Sequence, residues 1–495
     1  EMIKCTLISS FMTAFHMFYF KDIDKVVNVI KEKFGNGEDL ISKEFFICKK
    51  RAVLLYLNGI TDTEKINQFI LMASKNCECA DNITIEFISE NVFNLSEQTE
   101  VSDIKQVLDD IPKGKTIILV EGLNSGISID TFKVKERSIS EPPTSSVMKG
   151  PRSGFVENLK TNLSSIKRIL ATHELRCENL TVGKYTKTSV SIVYINGVAD
   201  KKVVKRIKNK IKKIDIDGVI DSFYIASFLE LKKSSMFKQV GSTEKPDVAC
   251  AKALEGRVLI LVDGSPIVLS LPFILWEDLQ SGDDYYGQHA NAFFVRVIRF
   301  CSLFITMLLP AMYIAVELHH YKSVPLTFLV TIINTTQDLP LTPFAEILFV
   351  LTLFEILYET SLRMPKYLGL ALSVVGALIL GDTAVKAGLI SPPAVMFVAV
   401  SGITEFTTPD QAPQLSLLRF GFTLAGGFLG FYGITLFFLF LVFYLSDFDA
   451  YGSAYLAPLS PFHKRDWQDI IYKTDITKMK YRPTSIPNVN KRRSN

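Results

Sequence analysis

The sequence predicts an α/β domain built from two duplicated units with a helical linker, joined to an all-α polytopic membrane domain. Three observations predict it. Between Ala292 and Ser446, four blocks carry no Asp, Glu, Lys or Arg: Phe300–Val316, Tyr367–Gly381, Leu389–Thr404 and Phe420–Ser446. Before residue 290, two pairs of segments repeat in the same order. Between the repeats runs one amphipathic segment with helical spacing.

The uncharged blocks are read first. A bilayer core is ~30 Å thick, so about 20 mostly apolar residues cross it as a helix. The first and last blocks reach that length with their flanks. The middle two are short, and are tilted, re-entrant or snorkelled at their ends. The last block contains GGFLGFYG and is one tilted helix or two short ones joined at the glycines. The membrane domain is set at 291–446 and the basic C-terminal tail, ending KRRSN, at 447–495. If tail and N-terminal domain share a side, the crossings are even in number, and four full crossings plus shorter elements are expected. Arg296 and Arg299 precede the first span, where basic residues mark the cytoplasmic face.

The chain of 495 residues is long enough for three domains. A formal net charge of +4 is too small to imply nucleic-acid binding. Seven scattered cysteines, with Cys77 and Cys79 the only close pair, read as reduced buried thiols rather than a metal site. The chain opens on Glu1, and Met2–Phe20 is apolar apart from Lys4, with no small-residue cleavage site following. Residues 1–44 are left as an ill-determined N-terminal segment.

The duplication organises 45–138 and 183–290 as two α/β units. VLLYLNGI (Val53–Ile60) matches SIVYINGV (Ser191–Val198), and each is followed by Asp (Asp62, Asp200) and a basic helical run. KTIILVEG (Lys115–Gly122) matches RVLILVDG (Arg257–Gly264) at nearly the same offset. Each copy therefore reads as a buried strand, an Asn-Gly turn, a helix and a later strand closing in a hairpin turn. The linker 139–182 opens with a Pro- and Ser-rich loop. In its helix Phe155, Leu159, Leu163, Ile166 and Leu170 form one apolar stripe, expected to pack on both units.

These residues are specific enough to show a resemblance. The chain resembles the A subunit of GerA-type spore germinant receptors of Bacillus and Clostridium relatives. The motifs that carry it are GPRSGFVENLKTNLSSIKR (Gly150–Arg168), IDIDGVIDS (Ile214–Ser222), EKPDVACAKALEGRVLILVDGSP (Glu244–Pro266) and DDYY (Asp283–Tyr286). In the membrane part they are LLPAMYIAV (Leu308–Val316), RMP (Arg363–Pro365), SVVGALILGDTAVKAGLISP (Ser373–Pro392), LLRFGF (Leu417–Phe422) and AYGSAYLAPLSPF (Ala450–Phe462). The family-motif residues assigned structural roles are Gly150, Pro151, Arg152, Glu255, Gly256, Arg257, Asp263 and Gly264. Two departures stand out. Asn334–Pro340 reads NTTQDLP where the family has a charged Arg-Glu-Gly segment, and Glu359 is followed by Thr360 where the family has Arg. The resemblance implies a multi-pass protein of the spore inner membrane with its N-terminal domain on the cytoplasmic, core-facing side. It implies a homo-oligomer forming a ligand-gated cation channel that triggers germination, partnered by a transporter-like B subunit and a lipoprotein C subunit. It implies no cofactor and no nucleic acid.

Charges in the membrane block are the candidate sites. Glu346, Glu355, Glu359 and Arg363 lie in or beside Pro343–Met364, with Glu355, Glu359 and Arg363 four apart on one face. A charge at bilayer depth is paired or faces protein or water. Glu346 and Glu355 are expected at a pore or subunit interface; Glu359 and Arg363 are expected to pair with each other at the interfacial end. Asp382 and Lys386, also four apart, are expected to pair at a helix end. Glu405 belongs at the interface or in the pore. Gly376, Gly381, Gly402, Gly421, Gly426, Gly427, Gly430 and Gly433 allow close helix contact.

Other chemistry lacks a constellation. Asp263-Gly264-Ser265 has neither a G-x-S-x-G elbow nor a phosphate loop and reads as a hairpin turn. His16, His173, His289, His319, His320 and His463 show no metal-ligand spacing. No enzyme activity is expected. The rival readings are a small-solute secondary transporter, which predicts inverted repeats with matching broken helices, and an accessory channel or scaffold protein of the same family acting without a germinant-binding partner.

Overall fold

The computed structural model describes residues 22–75, 84–93, 98–133, 149–337, 339–363, 382–470 and 472–493. The block Tyr367–Gly381, the apolar start Met2–Phe20 and the pair Cys77 and Cys79 lie outside them. The chain divides into two units. One comprises Glu1–Leu231, Val240–Pro272 and Tyr481–Asn495; the other comprises Lys232–Gln239 and Phe273–Lys480.

The first unit holds two five-stranded antiparallel sheets of the same topology. Before the first sheet comes α1 (Ile23–Lys33), capped by Asp22. The sheet contains β1 (Leu40–Ile47), β2 (Lys50–Leu57), β3 (Gln98–Val101), β4 (Lys115–Val120) and β5 (Gly126–Asp130), in the order β1-β2-β4-β5-β3, with α2 (Ile104–Asp110) before β4. The run VLLYL is apolar throughout because both faces of its strand are covered. Val53, Leu55 and Leu57 face α1 and α2 through Ile23, Val26, Ile30 and Val107. Leu54, with Ile118 and Val120 on β4, faces Ile66, Ile70 and Phe93. The sheet and its helix thus take in residues from 23 onward, within the segment left unassigned.

The linker helix α3 (Leu159–Ile169) is capped by Asn158, which accepts from Thr161 N at 3.1 Å. The second sheet then contains β6 (Leu175–Val182), β7 (Thr188–Ile195), β8 (Gly241–Thr243), β9 (Val258–Val262) and β10 (Val268–Leu271), in the order β6-β7-β9-β10-β8. Between β7 and β8 run α4 (Lys201–Lys212) and α5 (Ser222–Leu229), and α6 (Pro246–Leu254) precedes β9. The repeated Asp is a helix N-cap in both copies: Asp62 accepts from Glu64 N at 3.0 Å and Asp200 from Lys202 N at 2.8 Å. The repeated Asn-Gly gives a turn whose glycines have φ of +94° at Gly59 and +80° at Gly197, a backbone that L side chains adopt only under strain.

The stripe Phe155, Leu159, Leu163, Ile166 and Leu170 is buried against Val193, Leu259, Leu261 and Ala253 of the second sheet layer. The opposite edge of α3 reaches the first copy. Ser164 Oγ donates to Gly59 O at 2.7 Å, and Lys167 Nζ lies 3.1 Å from Asp39 Oδ2. Cys48 is disulfide-bonded, so the expectation of reduced thiols fails at that position.

Residues 447–495, expected as one basic tail, divide instead. The stretch from 481 returns to the first unit, where Val489 N donates to Val198 O at 2.9 Å and Arg482 Nε donates to Leu254 O at 2.6 Å. The stretch before it packs into the second unit because AYGSAYLAPL supplies apolar and aromatic side chains, and Phe448, Tyr455 and Leu456 are core residues.

The second unit is a helical bundle. Among the described residues its longer helices are α7 (His289–Leu318), α8 (Leu326–Thr336), α9 (Pro343–Arg363), α10 (Pro392–Glu405) and α11 (Ala412–Ser446). By length and composition, His289–Leu318 and Pro409–Ser446 are apolar enough to cross a membrane. The second of these is not one rod. Gly430 has φ +61° and ψ −146°, and the chain reverses there. A Cβ added to Gly433 would meet Ala425 O at 2.2 Å, one added to Gly421 would meet the Phe437 ring at 2.8 Å, and the Phe422 and Phe437 rings lie 4.7 Å apart. Helix α11 is therefore two antiparallel arms, 412–429 and 431–446, about 27 and 24 Å long at 1.5 Å per residue.

Candidate functional site

The base of the bundle is a charge clamp. The short helical turn DDYY (Asp283–Tyr286) brings Asp284 against the first turns of α7. Arg296 Nε donates to Asp284 Oδ2 at 2.9 Å and its Nη1 to Asp469 Oδ1 at 3.0 Å; Arg299 Nη1 donates to Asp284 Oδ2 at 2.8 Å. Both arginines are thus neutralised by acids of their own unit rather than standing as free positive charge. Lys238 lies 3.1 Å from Asp278. Burial pulls this ammonium down, but Asp278 and its acidic neighbours outweigh that and raise it above the ordinary lysine value.

Deeper in the bundle, three helices converge on Arg419, whose side chain is 0% exposed. Its Nη2 is hydrogen-bonded to Glu355 Oε1 of α9. Its Nη1 lies 3.2 Å from Glu405 Oε2 at the end of α10 and donates to Ser401 Oγ at 3.2 Å. Ser416 Oγ donates to Glu405 Oε1 at 3.0 Å, and Ser401 Oγ donates to Thr306 O at 2.9 Å. The Phe354 ring covers the guanidinium at 5.7 Å. A buried charge is tolerated only when paired and hydrogen-bonded, and this one meets two carboxylates and a hydroxyl. The glycines let the helices close around it: a Cβ on Gly402 would collide with the Phe354 ring at 2.1 Å.

A second polar layer lies farther along α7. Glu346, 1% exposed in the first turn of α9, accepts from Ser391 N at 2.5 Å, where Ser391 caps α10. The positive end of α10 thus meets this carboxylate. Tyr313 stacks at 4.7 Å on Phe397. His319 and His320, at the end of α7, engage backbone rather than a metal: His319 Nε2 is 2.9 Å from Gly427 O and His320 Nδ1 is 3.3 Å from Ala315 O.

The remaining charged candidates are on the outside. Arg363 Nη2 lies 2.5 Å from Glu359 Oε1, and Lys386 Nζ lies 2.7 Å from Asp382 Oδ2, both pairs exposed and four residues apart. Exposed pairs of this kind contribute at most about 1 kcal/mol. The structure brings Glu355 and Glu405 together on Arg419, while Glu346 engages the cap of α10 and Glu359 and Asp382 engage their own i+4 partners. Arg419 is the group that sequence reasoning missed. Its signal was a lone Arg in the apolar run LLRFGF.

In the first unit, the family-motif residues hold corners. Asp263 Oδ1 accepts from Leu159 N at 3.1 Å, and Gly264 N donates to Glu157 O at 2.8 Å, fixing the β9–β10 turn to α3. Arg257 lies 3.3 Å from Glu255, which is 3.5 Å from Arg493. Gly256 has φ +106° and leaves no room for a Cβ beside Asn488, 3.0 Å away. Gly150, Pro151 and Arg152 are exposed. A cavity of about 410 Å³ is lined by Asp39, Lys167, Arg176, Glu178, Tyr194 and Lys208, among others. Its charges are matched internally, with Tyr194 donating to Glu178 at 2.7 Å and Lys208 bonded to the same carboxylate. Burial would raise Glu178, but these two donors hold it below the usual carboxylate range. Burial pushes the Cys177 thiol beside them up to about 12.

Comparison with known proteins gives consistent results. The family described as Bacillus/Clostridium GerA spore germination protein matches residues 28–485. Spore germination protein KA of Bacillus subtilis (strain 168) is 33% identical over 462 residues, 92% of this chain and 85% of that protein. Spore germination protein A1 of the same organism is 32% identical over 465 residues, 93% of this chain and 95% of that protein. Among solved structures, the N-terminal domain of the A subunit of the Bacillus megaterium spore germinant receptor GerK3 aligns at 29% identity with a TM-score of 0.39, covering 49% of this chain and 92% of that chain.

Proposed function

The chain belongs to the GerA family of spore germination proteins, and from that premise we propose that it is the A subunit of a nutrient germinant receptor in the spore inner membrane. In this reading its helical unit is a multi-pass membrane domain, its copies assemble around a cation-conducting passage, and ion release through that passage starts germination. A transporter-like B subunit and a lipoprotein C subunit complete the receptor, and the α/β unit faces the spore core.

The observation that carries the reading is the outward stripe of α9, where Thr352 and the Glu359–Arg363 pair are interleaved with Phe349 and Ile356. Phe349, Thr352, Ile356, Glu359 and Arg363 are exposed at alternating spacings of three and four, on one helix face. Glu355, 26% exposed, reaches that side while holding the sealed Arg419. Lipid accommodates the charged end of such a stripe poorly, whereas a second copy or a water-filled axis accommodates it well. The pore or interface candidates thereby narrow to Glu355, Glu359 and Arg363 on α9, with Asp382 and Lys386 at the approach to α10. Glu346 and Glu405 act from inside each protomer.

The test is cation flux through the complete receptor reconstituted in liposomes. Glu355→Gln is expected to lower the current several-fold and to change cation selectivity, because one carboxylate per copy is lost from the passage. Unchanged current and selectivity would remove Glu355 from it.

A further inference from the structure

Helix α4 carries charge that its fold does not need. Its buried stripe is Val203, Val204, Ile207 and Ile211, which packs the helix toward β6 and α5. Seven of its twelve residues are Lys or Arg and none is acidic. Two of the seven are engaged inside the unit: Lys208 bonds Glu178, and Lys210 Nζ donates to Leu229 O at 3.2 Å. Lys201, Lys202, Lys205 and Arg206, with Lys212 and the following Lys213, are exposed. At about 3.6 residues per turn they spread over the arc opposite the buried stripe. Lys201, Lys202, Lys205 and Lys213 enter no ion pair among the described residues.

This arrangement works against the helix. Like charges four apart, Lys201 with Lys205 and Lys202 with Arg206, repel one another. Lys201 and Lys202 also stand at the amino end, where the peptide dipoles favour acids. The duplicate shows what the fold itself asks for. The run 63–75, which follows the matching cap Asp62, holds Lys65 and Lys75 with Glu64 in its first turn. The same position in the same topology is thus filled without a cationic face.

We propose that the outer face of α4 is a docking surface for anionic phospholipid headgroups, by which the α/β unit lies against the bilayer. Charge complementarity sets the class of partner, because clustered exposed cations are drawn to an anionic membrane surface. Connectivity makes that surface the available one. The chain crosses between the α/β unit and the helical unit at Leu231–Lys232, Gln239–Val240, Pro272–Phe273 and Lys480–Tyr481. The helical unit holds the helices long and apolar enough to cross a membrane. A bilayer around them is therefore presented to α4 at high effective concentration. The docking is electrostatic rather than insertion, since the apolar stripe of α4 is turned inward and its outer face is cationic. It rests on the membrane reading of the helical unit and is independent of the channel reading.

The test reads lysine reactivity. The purified full chain is placed in nanodiscs of phosphatidylcholine alone or of phosphatidylcholine with phosphatidylglycerol, and acetylation of each lysine is timed by mass spectrometry. Lys201, Lys202, Lys205 and Lys213 are expected to react about fivefold more slowly in the anionic discs and to recover in about 1 M salt. Lys43 and Lys105, exposed on the first copy, are expected to react alike in both. Lys201→Gln, Lys202→Gln and Lys205→Gln together free Lys213; the three changed to Arg, which keeps the charge, leave it protected. All three positions are exposed, so the buried stripe is untouched. Equal rates in both discs, or a fall at Lys43 and Lys105 as large as that on α4, overturn the docking face. Protection by added duplex DNA in neutral discs, with none from phosphatidylglycerol, assigns the face to nucleic acid and overturns it equally. A chain that fails to enter nanodiscs overturns the membrane reading and the docking with it, and is told apart because no disc forms around it.

Discussion

Arg419 concentrates the chemistry of the bundle in one side chain. Its guanidinium joins Glu355 of α9 and Glu405 of α10. Removing one member of a buried ion network leaves the others charged and unmatched. Arg419→Ala is therefore expected to destabilise the folded chain by about 3–5 kcal/mol, read as a lowered unfolding midpoint in detergent. A midpoint within a degree of the native one would mean that water, rather than Arg419, compensates the acids. Single residues were the hardest scale to read from sequence. The i, i+4 pairs Glu359–Arg363 and Asp382–Lys386 follow from helical spacing alone. The partner of Glu355 lies 64 residues away on another helix, and no local pattern encodes that meeting.

At the scale of elements, the Gly430 reversal decides how the last apolar block is used. Its backbone lies in a region open mainly to glycine, and an added Cβ would stand 2.7 Å from the His320 ring. Gly430→Ala is expected to cost about 1–3 kcal/mol and to loosen the two arms, seen as faster amide exchange across 425–433. Exchange unchanged from the native chain would show that the turn tolerates a side chain. The glycine run signalled either a tilted rod or two arms; composition alone does not fix φ, so the choice needed the structure. In the α/β unit the buried strands were legible because β2, β4, β7 and β9 are continuous apolar runs. Their neighbours β1 and β6, LISKEFFI and LRCENLTV, were not. Each pairs along one side only and keeps charged residues, so neither shows the apolar run of a central strand.

At the scale of the molecule, the duplication was legible because two sheets of identical strand order need the same strand, turn and cap residues at the same offsets. The division of the C-terminal stretch between the two units was not, since its basic end obscured an aromatic segment that packs inward. The account's central claim concerns something one chain cannot contain: the outward stripe of α9 belongs to a passage shared by several copies. Imaging of the purified full chain in lipid nanodiscs tests it most directly. The account predicts a closed ring of copies with Glu355 and the Phe349–Arg363 stripe turned toward a solvent-filled axis. A lone protomer with that stripe against acyl chains would contradict it.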